Sequence, residues 1–217
     1  AFCGDGGGMD MGIASISAAL QHTQYNLLII MYDNESYANT DIQASGASPW
    51  GVNTTFTPPG KKHRILQTRW KKNMAGMMAV GHPECRYVAT GDASYPTDLI
   101  DKVRRGLSIP GPAFLHTLDP CPKGWDYDPY FSHELGELAC ETGIWPLFTY
   151  EDGKITYQKP TRDLINGYKK RKPVREYMEK QGRFAHFTDE DYDFFQAKID
   201  TQWETWTVPG AIPILKD

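Results

Sequence analysis

The sequence predicts an α/β domain built on a mostly parallel sheet with helices on both faces. Three observations carry that expectation. Strand-like and helix-like segments alternate from residue 1 to residue 118 at the spacing of βαβ units. The segment Tyr25–Tyr32 (YNLLIIMY) is apolar almost throughout, as in strands of parallel sheets covered on both sides. A glycine turn, a long polar loop and a cysteine-bearing loop each follow directly on a strand, and ligands of open α/β folds gather at that edge. A chain of 217 residues has room for one substantial core.

The elements follow in order. Ala1-Phe2-Cys3-Gly4-Asp5-Gly6 reads as the last residues of a strand and a glycine turn. With no initiator Met and no signal-peptide pattern, further sequence is expected upstream. Asp10 to His22 carries Met11, Ile13, Ala14, Ile16, Ala18 and Leu20 among small residues. That pattern predicts a smooth helix with Asp10 as its N-cap. After the apolar strand, Asp33 to Gly60 is a long polar loop, a length usually reserved for function. Arg64 to Val80 reads as a helix and Arg86 to Thr90 as a strand. Pro96 to Gly106 reads as a helix opened by proline and closed by glycine. Ala113 to Leu118 is the next strand, followed at once by Asp119-Pro120-Cys121-Pro122. Beyond residue 145 the character changes to a polar, basic stretch containing YKKRKPVREY, an acidic aromatic helix over Asp189 to Gln202, and a Trp-, Pro- and Gly-bearing end. The expected organisation is an α/β domain over 1–145 and an extended arm over 146–217 laid on a partner chain.

Composition excludes several classes. Lys+Arg 23 against Asp+Glu 27 gives a net charge of -4, which argues against a general nucleic-acid binder. The longest apolar stretch, Leu27–Met31, is far short of the roughly 18 residues that span a membrane. The cysteines at 3, 85, 121 and 140 form no C-x-x-C pair, which excludes a zinc knuckle or thioredoxin motif. A disulfide scaffold is not expected at this size. Cys3, Cys85 and Cys140 read as ordinary buried thiols. No histidines pair at metal spacing; His116 reads as a core residue, and His22 as a helix-end residue suited to the dipole. The basic run reads as a solvated or partner-facing stretch.

Two motifs point to chemistry. In Gly4-Asp5-Gly6-Gly7-Gly8 the glycines allow close backbone approach to a phosphate, and Asp5 could hold a hard cation that bridges to it. Alone, this is as readily a structural turn. Asn34 at the end of the next apolar strand, alone, is an ordinary turn residue. Together they place two oxygen donors on adjacent strand ends, the arrangement by which Mg²⁺ bridges a diphosphate. A Gly-Asp-Gly turn followed by such an Asn is the thiamine diphosphate signature.

The segments GDGGGMDMGIASISAAL, YDNESYANTDIQASGASPWG and DPCPKGW together resemble the β subunit of the 2-oxoacid:ferredoxin oxidoreductases, a family typified by pyruvate:ferredoxin oxidoreductase. The likeness runs through CETGIWPLFTYEDGK and KKRKPVREYMEKQGRFAHFTDEDY and so covers most of the chain. It implies a thiamine-diphosphate-binding fold in one subunit of a heteromer in an anaerobic cytoplasm. The implied reaction is oxidative decarboxylation of a 2-oxoacid (pyruvate, or oxalate or an aryl 2-oxoacid), with electrons passed through [4Fe-4S] clusters to ferredoxin. Coenzyme A would be used for pyruvate and not for oxalate. The implied Mg²⁺ ligands are the Asp5 carboxylate, the Asn34 amide oxygen and the Ser36 carbonyl. Gly4, Gly6 and Gly7 would cradle the diphosphate, and Asn39 and Thr40 would lie near the thiazolium and the substrate carboxylate. Cys121 would be one of four thiolates on a [4Fe-4S] cluster, the other three lying upstream. The Glu that activates the aminopyrimidine is expected on another subunit rather than at Glu35. One position departs from the family: Asp41 stands in NTDIQ where the family has Gly, which alters the electrostatics near the substrate. A non-redox thiamine-diphosphate-dependent decarboxylase or transferase subunit is the alternative, opposed by the cysteine of DPCPKGW. A Rossmann-like subunit without chemistry is opposed by Asp5 and Asn34.

Overall fold

Four apolar segments pair in parallel because each is followed by a helix or a long crossover. They are β1 (Phe2–Gly4), β2 (Leu27–Asp33), β3 (Tyr87–Asp92) and β4 (Pro112–Leu118). The computed structural model describes residues 1–207. An antiparallel hairpin, β5 (Phe148–Glu151) and β6 (Lys154–Tyr157), extends the sheet beyond β3, giving the order β1-β2-β4-β3-β5-β6. Every residue of β3 and β4 is buried, which explains why these strands lack polar alternation. Register places Gly4 beside Tyr32, and Asp33 and Asp92 both beside Leu118. The carboxyl ends of four strands therefore finish together, and the loops after β1, β2 and β4 meet there.

The helices correct several expectations. The glycine run winds Gly6–Met11 into a π-helical turn, and α1 (Ile13–Ala19) starts only after Gly12. Asp10 is thus not an N-cap. Its carboxylate instead accepts from the Gly46 N–H at 2.7 Å and the Tyr37 hydroxyl at 3.1 Å, and pairs with Lys72 at 2.6 Å. His22 lies just beyond the end of α1, where its backbone N–H donates to the Ala19 carbonyl at 3.2 Å. The helix expected over Arg64 to Val80 is only α2 (Met74–Gly81), capped by the Asn73 side chain on the Gly76 N–H at 2.9 Å. Residues 61–73 run as an irregular strap whose groups bond elsewhere: Gln67 with Ser48 and Gly51, Arg64 with Asp191, and Lys71 with Asp33 and Glu35. Tertiary partners there replace the helix's own bonds. In α3 (Pro96–Ser108) Gly106 does not stop the helix; a Cβ there would fall 2.9 Å from Leu28, so glycine lets α3 sit close on the sheet.

Residues 146–207 are not an extended arm. Beyond the hairpin they form α6 (Thr161–Ile165), α7 (Val174–Met178) and α8 (Asp189–Thr207), after the short α4 (Pro122–Trp125) and α5 (Ser132–Glu141). Val174, Tyr177, Met178, Phe184, Tyr192, Phe195 and Ile199 share one buried cluster with Trp125, Leu135 and Leu138. Apolar residues widely spaced in a polar sequence gave no periodic signal, yet they converge on the chain's own core. The last part of the expected arm, 208–217, lies outside the described residues. Among the described residues no helix is long and apolar enough to cross a membrane.

Asp92, ending β3, is fully buried. Its Oδ1 accepts from the Ser94 N–H at 2.7 Å, while its Oδ2 has no hydrogen-bond partner among the described residues. Burial pushes its carboxyl up to about 6. A carboxyl raised above its unfolded value of about 3.9 stabilises the fold below that pH and loses this contribution as pH rises through the folded value. Asp92→Asn keeps the acceptor and removes the charge. It should add about 2 kcal/mol to the unfolding free energy at pH 8 and little at pH 4. Urea titrations at the two pH values check this; an equal change at both would refute it.

Candidate functional site

The site is assembled from three loops at the carboxyl edge of the sheet. Asp5, directly after β1, is 1% exposed and lies beside the end of β2. The Ser45 hydroxyl donates to its Oδ2, and no salt bridge to it is formed among the described residues. Burial first, and then the neighbouring Asp33 charge, push its carboxyl up to about 7. Beside it the glycine turn passes under Tyr37: a Cβ on Gly6 would stand 2.3 Å from that ring, and Gly6 is therefore obligatory for the packing. Gly7 has open space where a Cβ would be. Gly4, ending β1, lies against the Tyr32 ring.

Asn34 follows β2 and forms an Asx turn. Its Oδ1 accepts from the Ser36 N–H at 3.2 Å and the Ser36 hydroxyl at 3.3 Å, while its carbonyl accepts from the Trp125 indole N–H at 2.8 Å. Between them Glu35 is buried in left-handed backbone with φ 64°. Its carbonyl accepts from the Ser48 hydroxyl at 2.6 Å. Asn39 and Thr40 are exposed at the tip of this loop, where Thr40 bonds to Gln43. Asp41 has φ 84°, a conformation that glycine adopts without strain.

Under the loop is an ionic network that sequence reading missed. Asp33, fully buried, accepts from Lys71 Nζ at 2.7 Å and from His116 Nε2 at 2.7 Å. Burial would raise its carboxyl, but Lys71 and then the His116 hydrogen bond outweigh this and hold it at about 2. Burial lowers the His116 imidazole; the ring is a satisfied core residue, as the sequence reading has it. Lys71 also pairs with Glu35 at 2.8 Å, and Arg183 takes the other Glu35 oxygen at 2.6 Å. The one sequence signal for this network was His116, an ionisable residue in a strand with no other. Lys71 and Arg183 lie far along the chain and carried none.

Cys121, half-buried after β4, caps α4 by accepting from the Gly124 N–H at 3.4 Å. Among the described residues no three His, Cys, Asp or Glu side chains are grouped to hold a metal. A four-thiolate cluster would need three ligands besides Cys121. Burial pushes the Cys85 thiol up to about 12, and raises Cys3 and Cys140 as well. A depression of ≈ 310 Å³ opens beside the Cys121 loop, lined by Ile42, Thr54, Lys123 and Arg183.

A parallel sheet that brings a buried carboxylate, an Asn carboxamide and a glycine turn to adjoining strand ends defines a class: open α/β proteins, whose ligands gather at the carboxyl edge of the sheet. The chain belongs to the thiamine pyrophosphate enzymes: the family "Thiamine pyrophosphate enzyme, C-terminal TPP binding domain" matches residues 1–117. It is 45% identical over 204 residues to pyruvate synthase subunit PorB of Methanothermobacter marburgensis, covering 93% of this chain and 66% of that protein. With subunit PorB of Methanocaldococcus jannaschii it shares 47% over 200 residues, 91% of this chain and 62% of the relative. Ketoisovalerate oxidoreductase subunit VorB of Pyrococcus horikoshii is 39% identical over 203 residues, 94% of this chain and 62% of the relative. The chain thus spans a little under two thirds of the length of the curated relatives it matches.

Proposed function

We propose that the chain is the thiamine-diphosphate-binding part of one subunit of a 2-oxoacid:ferredoxin oxidoreductase. The observation that carries this reading is similarity to PorB and VorB over more than nine-tenths of the chain, through the Cys121 loop and beyond the segment common to thiamine enzymes. A decarboxylase without redox chemistry has no use for a thiolate there.

The donor set fits the groups proposed. Asp5 is a buried carboxylate whose raised proton affinity a divalent cation would relieve. It would ligate Mg²⁺ together with the Asn34 amide oxygen and the Ser36 carbonyl, all hard oxygen donors. Gly4, Gly6 and Gly7 would offer backbone to the diphosphate. Asn39 and Thr40, polar and exposed at the loop tip, would orient the substrate carboxylate. Cys121 is a soft donor suited to iron and would supply one of the four thiolates of a [4Fe-4S] cluster. When bound, thiamine diphosphate supplies the electron sink for loss of carbon dioxide, and iron-sulfur clusters take electrons singly. The remaining thiolates, the activating Glu and the ferredoxin contact are assigned to other parts of the assembly. The segment expected as an arm, 146–217, is proposed to meet partner subunits, through its outer surface where it is described (146–205), and the setting is proposed to be the cytoplasm.

Turnover of a panel by the full assembly tests this: pyruvate, ketoisovalerate, 2-oxoglutarate, oxalate and phenylglyoxylate, each with ferredoxin and with or without coenzyme A. One of these should reduce ferredoxin in step with carbon dioxide release. Carbon dioxide without electron transfer would establish the non-redox alternative instead.

A further inference from the structure

The turn that follows α7 carries Arg183, which is 3% exposed although arginine is among the residues least often buried. Its guanidinium touches both loops that matter. Nη2 donates to Glu35 Oε2 at 2.6 Å, inside the 34–36 segment, and the guanidinium carbon lies 4.0 Å from the centroid of the Trp125 ring, in the helix that Cys121 caps. Trp125 closes the circuit by donating its indole N–H to the Asn34 carbonyl at 2.8 Å.

The Arg183 end of this circuit is anchored independently. Nε donates to Gln181 Oε1 at 2.8 Å, the Arg183 carbonyl accepts from the Asn53 N–H at 3.0 Å, and the Gly182 N–H donates to the Asp126 carbonyl at 2.8 Å. The turn is therefore fixed to the Cys121 side, and its side chain reaches across to the Asn34 side. What it grips there is strained: Glu35 holds φ 64°, which for a non-glycine residue persists only when its surroundings impose it. Both of its carboxylate oxygens are held, one by Lys71 and one by Arg183.

We propose that Arg183 is a positioning residue for the bound cation, holding Asn34 and Ser36 in place through Glu35 and tying them to the Cys121 loop through Trp125. This rests on the reading that Asn34 and Ser36 face Mg²⁺. A purely electrostatic role predicts the opposite sign. Without Arg183, Lys71 faces both Asp33 and Glu35, and the added negative charge would attract a cation more strongly; loss of position weakens its binding.

The test is calorimetric titration of thiamine diphosphate with Mg²⁺ into the full assembly, reading the dissociation constant and the number of sites separately. Arg183→Gln should weaken Mg²⁺-dependent binding about ten- to hundredfold, the usual scale for an outer partner of a metal ligand. The site number should stay that of the wild type, whereas misfolding would lower it. Arg183→Lys keeps the charge but not the planar fork and should fall between. Trp125→Phe keeps a ring face, removes the indole N–H, and should weaken binding in the same direction. Unchanged or tighter binding in Arg183→Gln overturns the proposal. If that variant does not fold, wild-type binding by both Arg183→Lys and Trp125→Phe overturns it. Asp5→Ala separates the two levels: a wild type that binds and an Asp5→Ala variant that does not leave the site reading standing whatever Arg183 does. A wild type that binds no thiamine diphosphate removes both.

Discussion

Asp5→Ala in the full-length protein should abolish Mg²⁺-dependent binding of thiamine diphosphate. The expectation rests on the state of the carboxylate. It is 1% exposed, receives a hydrogen bond from Ser45, lies near the Asp33 charge, and is pushed up to about 7 by burial and that charge. Such a group is costly in the cofactor-free fold. A carboxyl with a raised folded value contributes stability below about pH 4 and loses it as pH rises through about 7. Asp5→Asn should therefore separate the two properties. At pH 8 it should stabilise the cofactor-free protein by about 1–3 kcal/mol, and it should still lose tight Mg²⁺ binding, because an amide is a weaker ligand for a hard cation. Calorimetry and chemical unfolding read the two effects separately. Wild-type cofactor binding by Asp5→Ala would refute the metal assignment; an Asp5→Asn variant less stable than wild type would refute the account of the buried charge.

Lys71→Met is expected to give the largest stability loss. Lys71 Nζ lies 2.7 Å from Asp33 and 2.8 Å from Glu35, and 4.7 Å from the centroid of the Trp145 ring. Both carboxylates are nearly inaccessible, at 0% and 3%. Methionine keeps most of the volume but takes the ammonium away from both carboxylates: Arg183 still serves Glu35, while Asp33 keeps only the His116 hydrogen bond. Breaking a buried pair by removing one partner costs about 3–5 kcal/mol. A fifth of the Lys71 side chain is exposed, which places this case near about 3 kcal/mol. The compensating double variant Asp33→Asn with Lys71→Met should recover much of the loss, because it removes the orphaned charge rather than restoring an attraction. A loss of under about 1 kcal/mol in Lys71→Met, the level of an ordinary surface pair, would show that the network contributes little.

These two residues differ in how far the sequence announces them. Asp5 is legible because its meaning is local: glycines on both sides, a strand before and a helix after confine it to a turn at a strand end. Asn34 is legible for the same reason, at the end of a strand apolar enough to be unmistakable. Lys71 gives no such signal. It sits in a basic, aromatic stretch whose pattern reads equally well as a helix face, and the strap at 61–73 is irregular because Asp33, Glu35, Ser48 and Asp191 claim its side chains. Arg183 is 148 residues from Glu35 in sequence, and periodicity cannot report a pairing across that distance.

The sequence by itself determined the parallel sheet, the strand ends that carry Asp5, Asn34 and Cys121, and the thiamine-enzyme family. Each depends on hydrophobic runs and turn chemistry within a few residues of one another. Only the tertiary structure decided that 146–207 folds onto the chain's own core and that Lys71 and Arg183 pair with the carboxylates at and beside the Asn34–Ser36 turn. It also decided that Asp10 braces Gly46 and Tyr37 rather than capping a helix. The physical reason is the same in each case. A buried charge or a scattered set of apolar side chains is satisfied by whichever partner the fold brings within reach, and that partner need not be near in sequence.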